Sequence, residues 1–268
     1  MKKILLVSGD SFTDRNFRSA AHPEMDVSWP MWPELLAEKL DMRLINLGRS
    51  GQGNEYIYSS LQDTIEKMED KSQIGMVVAA WSQSFRKDYQ HNHSKGHEYV
   101  LYDYGQWMAE RVNPHGDIFS WIRKSLRTYK NLEYMCERYN IPYVQTQMIP
   151  LYIDWLRGLP PTDQAIMFEG KDQYFDRNEY PGDAEKDVET ILKIIMEYDD
   201  IITTTNFIGW PISRELGGYV FSFKEVGFAD SNNPSDHSPY VISEYDGHPN
   251  AEGHKILAAA FHKFIKEK

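Results

Sequence analysis

The chain has 268 residues and a net charge of −11, with 41% hydrophobic and 26% charged residues. That balance excludes a disordered polymer and suffices for one large folded core. No cluster of Lys and Arg marks a nucleic-acid footprint, the lone Cys136 excludes an intramolecular disulfide, and no apolar run reaches the length of a membrane span.

Short apolar runs alternate with helical periods along the chain, the pattern of βαβ units around a parallel sheet. Residues 3–8 read as the first strand. The run after Lys2-Lys3 stops at Ser8-Gly9-Asp10, too short for a signal core, so a soluble, cytoplasmic chain is the default expectation. Pro33 opens a short helix through Leu40, as proline fits a first helical turn, and Arg43–Leu47 is a second strand. Asn54 is expected to cap a helix with the stripe Tyr58, Leu61, Ile65 and Met68. Gly75–Trp81 is a third strand, apolar throughout and therefore central.

Residues 82–116 are polar and aromatic with weak periodicity and read as an excursion over the sheet edge. Asp117 is expected to cap a long helix with stripe Ile118, Ile122, Leu126, Tyr129 and Cys136, which makes the thiol a buried, inert group. Pro142–Met148 is a fourth strand, and 151–182 a second excursion. Val188, Ile191, Leu192 and Ile195 mark a further helix, Ile201–Thr204 a fifth strand, and Ala251–Ile265 a final amphipathic helix. Without repeats or linkers, residues 1–268 form one domain with two insertions.

In a parallel sheet, ligands sit beyond the carboxyl ends of the strands. Ser11 follows the first strand, Gly51 the second and Ser82 the third, while His248 precedes the last helix. Four distant segments thus converge on one rim. Three of them carry Gly9-Asp10-Ser11-Phe12, Asn46-Leu47-Gly48-Arg49-Ser50-Gly51-Gln52-Gly53-Asn54 and Asp246-Gly247-His248-Pro249-Asn250 with Gly253-His254. In these blocks, at opposite ends of the chain, the sequence resembles the SGNH hydrolases, also called the GDSL esterase/lipase superfamily. The resemblance implies a flavodoxin-like three-layer α/β/α sandwich with a parallel sheet of about five strands. It further implies that Ser11 is a nucleophile, His248 its general base and Asp246 the group that orients the imidazole. The backbone amides of Ser11 and Gly51 would hold the oxyanion, and no cofactor or metal would be needed.

Two features depart from that pattern. The third block usually supplies an Asn donor in a Gly-x-Asn-Asp turn, whereas this chain has Ala80-Trp81-Ser82-Gln83; Ser82, Gln83 or Asn54 can replace it. Many members also place the Asp three residues before the His, where Tyr245 stands here, and Asp246 lies two before. That spacing is shared with some carbohydrate-active relatives.

Other signals are weaker. There is no Gly-x-Ser-x-Gly elbow, Tyr56 occupies the third-glycine position of a dinucleotide fingerprint, and no phosphate loop is present. His91, His93 and His97 read as a solvated loop rather than a metal site; metal-assisted hydrolysis there would predict inhibition by a chelator. Asp236-His237 lacks a following Pro-Asn and helix and reads as a loop. Trp81, Tyr102, Tyr104, Trp107 and Trp155 form either a secondary core or a sugar-stacking wall. Asp10 and Arg86 are candidate substrate contacts, the latter for an acidic substituent or as one half of a surface ion pair.

The sequence therefore predicts a serine esterase that removes a small acyl group, acetyl in the first instance, from a small-molecule or glycan ester. The alternative is a non-catalytic glycan-binding or structural protein that keeps the fold.

Overall fold

The computed structural model describes residues 2–84, 86, 88–93, 96–100, 118–149, 151, 184–209, 239–243 and 246–268. Strands β1 (Ile4–Ser8), β2 (Arg43–Asn46), β3 (Ile74–Trp81), β6 (Tyr143–Gln147) and β7 (Phe207–Ile208) form a parallel sheet in the order β2-β1-β3-β6-β7. Two antiparallel hairpins stand apart from it: β4 (Tyr89–His93) with β5 (Gly96–Val100), and β8 (Val241–Ser243) with β9 (Asp246–Pro249).

Alternation along the strands builds a core on each face of the sheet. Ile4, Leu6, Val77, Ala79 and Trp81 meet helices α2 (Asn54–Lys67), α3 (Ile118–Arg138) and α4 (Ala184–Met196). Leu5, Val7, Val78 and Ala80 meet α1 (Trp32–Lys39) and α5 (Ala251–Lys266), where Trp32 stacks on Phe261 at 4.5 Å. The result is the three-layer α/β/α sandwich with the flavodoxin-like strand order. Cys136 lies in the first of these cores, and burial pushes its thiol up to about 12. Among the described residues no helix is long and apolar enough to cross a membrane.

Three local expectations change. The fifth strand is Phe207–Ile208 rather than Ile201–Thr204. The Thr203 amide donates to the buried Glu133 carboxylate at 2.9 Å, so this stretch forms a turn and the chain joins the sheet only beyond it. Helix α2 is capped from a distance. Gly53 is its N-cap residue, and the carboxylate of Asp88 accepts from the amides of Gly53 (2.8 Å) and Tyr56 (3.0 Å), which leaves Asn54 free for another task. Within the first excursion the chain forms the β4–β5 hairpin, with His91 opposite Glu98 and Asn92 opposite His97. The side chains of those three histidines lie outside the described residues, as do Asp117, the 152–183 part of the second excursion, Asp236-His237, Tyr102, Tyr104, Trp107 and Trp155.

Candidate active site

Strand order reverses between β1 and β3, and in open parallel sheets the carboxyl ends beside such a reversal are where ligands bind. There the chain turns sharply after β1. The amides of Thr13 and Asp14 donate to the Asp10 carbonyl at 2.9 and 3.0 Å, and Phe12 N–H donates to Asp10 Oδ1 at 3.1 Å. Ser11 is the second residue of this turn and is 9% exposed.

The loop after β2 is tied to the same turn. Asn46 Nδ2 donates to the Thr13 carbonyl at 2.8 Å, Arg49 N–H to the Gly9 carbonyl at 3.0 Å, and the Ser50 amide and hydroxyl to Asp14 Oδ2 at 2.8 and 2.7 Å. Gly51 follows with φ of 73°, a left-handed conformation in which a Cβ would be strained. Neither the Ser11 nor the Gly51 amide donates to an acceptor among the described residues.

His248 arrives from the β8–β9 hairpin. The next element, α5, is capped by Asn250, whose Oδ1 accepts from Glu252 and Gly253 at 3.0 Å each. The Asn250 Nδ2 donates to the carbonyls of Pro239 (2.8 Å) and Val241 (2.9 Å), so one side chain joins helix to hairpin. The imidazole reaches Ser11 Oγ with Nε2 at 2.7 Å and Asp246 Oδ1 with Nδ1 at 2.5 Å. With the carboxylate as acceptor, Nδ1 carries the proton and Nε2 is the acceptor for the Ser11 hydroxyl. Phe12 and Phe17 pack on the imidazole with centroids 4.6 and 4.2 Å away.

Asp246 is 7% exposed. Burial opposes its ionisation, but hydrogen bonds from His248 and Ser19 outweigh that and bring its carboxyl down to about 2. It is therefore a carboxylate near neutral pH, suited to holding an imidazolium. A hydroxyl, a proton acceptor and a carboxylate in this sequence can activate an oxygen nucleophile; the Ser11 and Gly51 amides, which meet no acceptor among the described residues, can receive developing negative charge.

The remaining candidates differ in burial and in partners. Asp10 is completely buried; burial raises its carboxyl above the ordinary value, and the Arg86 guanidinium partly offsets this. It is a support under the Ser11 turn, not a surface contact. Trp81 is also completely buried, stacked on Tyr129 at 4.5 Å and donating to Gln145 Oε1 at 2.9 Å, so it belongs to the core and offers no sugar platform. Asn54 accepts from the Ser82 amide at 2.7 Å and donates to the Ser82 carbonyl and to Ser125 Oγ, both at 3.1 Å. Its amide protons are thereby used, and it does not present a donor to an oxyanion. Ser82 is buried with its N–H committed to Asn54, which leaves its hydroxyl as its side-chain donor.

Arg86 is partly exposed, donating Nε to Gln83 Oε1 at 2.9 Å and Nη1 to the Gln52 carbonyl at 3.2 Å and to Asp10 Oδ2 at 3.5 Å. Gln83 is thus engaged by Arg86 as an acceptor. Gly53 admits this approach, because a Cβ there would sit 2.7 Å from the Arg86 Cβ. Sequence reasoning missed Phe17, Ser19 and Asp88, which contact the site or its scaffold from irregular segments and carry no motif or periodicity.

No protein-family model and no curated protein sequence matches the chain. Several solved structures resemble it over nearly their whole length. A candidate lipolytic protein of the G-D-S-L family from Desulfitobacterium hafniense DCB-2 is 14% identical, with a TM-score of 0.46, 98% of this chain and 99% of that chain being covered. A carbohydrate acetylesterase family member from Sinorhizobium meliloti is 12% identical, with a TM-score of 0.44 and coverage of 99% and 98%. A psychrotrophic esterase from Pseudoalteromonas sp. is 15% identical, with a TM-score of 0.43 and coverage of 99% and 97%.

Proposed function

We propose that this chain is a serine esterase of the SGNH hydrolase type that transfers a small acyl group, acetyl in the first instance, from an alcohol to water. The observation that carries the reading is the continuous hydrogen-bonded path from Ser11 Oγ through both imidazole nitrogens of His248 to Asp246.

On this reading, Ser11 Oγ attacks the ester carbonyl as its proton passes to His248 Nε2. Asp246 holds the Nδ1 proton and stabilises the imidazolium. The carbonyl oxygen gains the negative charge and accepts from the amides of Ser11 and Gly51. As the tetrahedral intermediate collapses, the alcohol leaves with the proton from Nε2, and Ser11 carries the acyl group. Water then repeats the steps in reverse roles, giving the free acid and restoring Ser11. Every proton is handled by His248, so the chemistry needs no redox or group-carrying partner.

Arg86, one edge of which reaches solvent, is the side chain suited to a polar or acidic substituent on the leaving group. A glycan as that leaving group is supported by the Asp-x-His spacing. The fully buried Trp81 adds nothing to that preference.

The deciding experiment compares wild type and Ser11→Ala on p-nitrophenyl acetate, butyrate and octanoate, alongside labelling by a fluorophosphonate probe. We expect hydrolysis strongest on acetate, lost in the variant, and covalent labelling at Ser11. Equal hydrolysis by both proteins would overturn the serine mechanism. A chain inert to all three esters and to the probe would be a binding protein on this fold.

A further inference from the structure

The Asp246 carboxylate has two oxygens, and the two-residue spacing to His248 uses only one of them. Asp246 Oδ1 accepts from both the backbone amide of His248 at 3.0 Å and its Nδ1 at 2.5 Å. Among the described residues of the hairpin, none donates to Oδ2. A carboxylate held on one side can turn about its last torsion, which is broad, and a turned carboxylate releases the imidazole from its tautomer and orientation.

Oδ2 is met from the other end of the sequence. Ser19, in the loop between β1 and α1, donates its hydroxyl to Asp246 Oδ2 at 2.5 Å and is itself 4% exposed. The direction is set by chemistry: the carboxylate only accepts, and the Ser19 oxygen already accepts from the His22 amide at 2.9 Å. His22 then reaches the other strand of the hairpin, its Nε2 lying 2.6 Å from Ser243 Oγ. Ser243 is the residue directly opposite Asp246 in the β8–β9 pair. The same loop sends Phe17 against the His248 ring, and Phe17, Val27 and Met31 form a small apolar cluster that packs on Ile242 of β8.

We infer that the Phe17–His22 segment is a positioning clip for the His248–Asp246 hairpin, with Ser19 as the residue that locks the carboxylate. The inference rests on the catalytic reading above. Ser19 touches no reacting atom. It acts by keeping Asp246 Oδ1 aimed at Nδ1, so the imidazole keeps its acceptor nitrogen toward Ser11. Phe17 closes one side of the ring, and the His22–Ser243 bond stops the loop from swinging away. A local turn supplies one half of the carboxylate's restraint and Ser19 the other.

The test uses the full chain with Ser19→Ala, Ser19→Thr and Ser243→Ala. Each is assayed for kcat and KM on p-nitrophenyl acetate, for thermal midpoint, and for the downfield proton resonance of the Nδ1–H between His248 and Asp246. For Ser19→Ala we expect kcat to fall about ten- to hundredfold, the usual scale for a group that orients a ligating or catalytic side chain. KM should hold within about twofold, and the resonance should shift upfield or broaden. Ser19→Thr keeps the hydroxyl and should recover most of kcat and the resonance; Ser243→Ala should show a smaller loss of the same kind. Wild-type kcat and an unmoved resonance in Ser19→Ala would overturn the inference. So would a loss in Ser19→Ala that follows only the thermal midpoint and disappears on assay well below it. Failure of the catalytic reading itself looks different: Ser11→Ala would then keep wild-type activity whatever Ser19 does, while the resonance would still report on the clip.

Discussion

Asp10 and Arg86 face each other beneath the Ser11 turn, with Oδ2 and Nη1 3.5 Å apart and the carboxylate wholly buried. The same guanidinium nitrogen donates to the carbonyl of Gln52, next to Gly51. One cation therefore joins the turn that carries Ser11 to the loop that carries Gly51, and it neutralises a charge that burial alone would push toward protonation.

Removing the cation should expose that imbalance. Arg86→Met leaves Asp10 buried without its partner, and we expect a loss of about 3 kcal/mol near neutral pH, the usual scale for stranding one member of a buried pair. The sign with pH follows from the raised Asp10 carboxyl. A carboxyl whose folded value lies above its unfolded one favours folding while protonated. The deficit of the variant should therefore be smallest below about pH 4 and grow as pH rises. The double variant Asp10→Asn/Arg86→Met should recover much of the loss. Urea denaturation at pH 4 and pH 7 checks both points; a deficit that does not depend on pH would refute this account.

Gly51 offers a sharper test of the proposed oxyanion site. Its φ of 73° makes Gly51→Ala costly by about 1–2 kcal/mol in backbone strain. Relief of that strain rotates the N–H that lies beside the Ser11 turn. We expect turnover on p-nitrophenyl acetate to fall about 10²-fold, the scale for loss of one oxyanion donor. Fluorophosphonate labelling should slow in step, because the probe develops the same charge. Intact turnover in a folded Gly51→Ala protein would remove Gly51 from the role.

What was legible in the sequence follows from how locally each feature is encoded. The β1 and β3 runs and the stripe of α5 announce themselves, because burial on a sheet or helix face imposes a short period. Ser11, Asp246 and His248 stand out because each lies at a strand or helix boundary with a compact motif around it. The errors arose where a distant side chain takes over a local task. Asn54 at a helix start reads as a cap, yet Asp88 fills that position from 35 residues away and releases Asn54 to hold Ser82. Ile201–Thr204 reads as a strand, yet Glu133 captures the Thr203 amide. Ser19 lies 227 residues from Asp246, and nothing near it hints at that contact.

The two hydrogen bonds between Asn54 and the backbone of Ser82 separate a structural amide from a catalytic one. Asn54→Ala leaves the Ser82 amide without an acceptor in a buried setting, which should cost about 1–3 kcal/mol. The turn after β3 would loosen, yet the Ser11 and Gly51 amides, the proposed oxyanion donors, remain. We expect turnover to fall less than tenfold when assayed well below the melting point. A loss of about 10²-fold or more at undiminished stability would instead assign Asn54 to the oxyanion.

His254 gives the chain a second pH response, set mainly by its own burial. It lies on the first turn of α5, 1% exposed, and its Nδ1 accepts from the Trp32 amide at the start of α1 at 3.2 Å. That bond requires the neutral ring with its proton on Nε2. Burial, aided by the nearby His248, lowers its value from 6.5 to about 3. A base whose folded value is depressed binds its proton first in the unfolded chain. Its contribution is therefore complete above pH 6.5 and is lost as pH falls toward 3. Within that window the slope approaches about 1.4 kcal/mol per pH unit for one proton. His254→Gln keeps an acceptor for Trp32 but cannot titrate, so its stability should change less between pH 7 and pH 5 than that of the wild type. Urea midpoints at the two values decide it: parallel losses in both proteins would mean that His254 is not the group responsible.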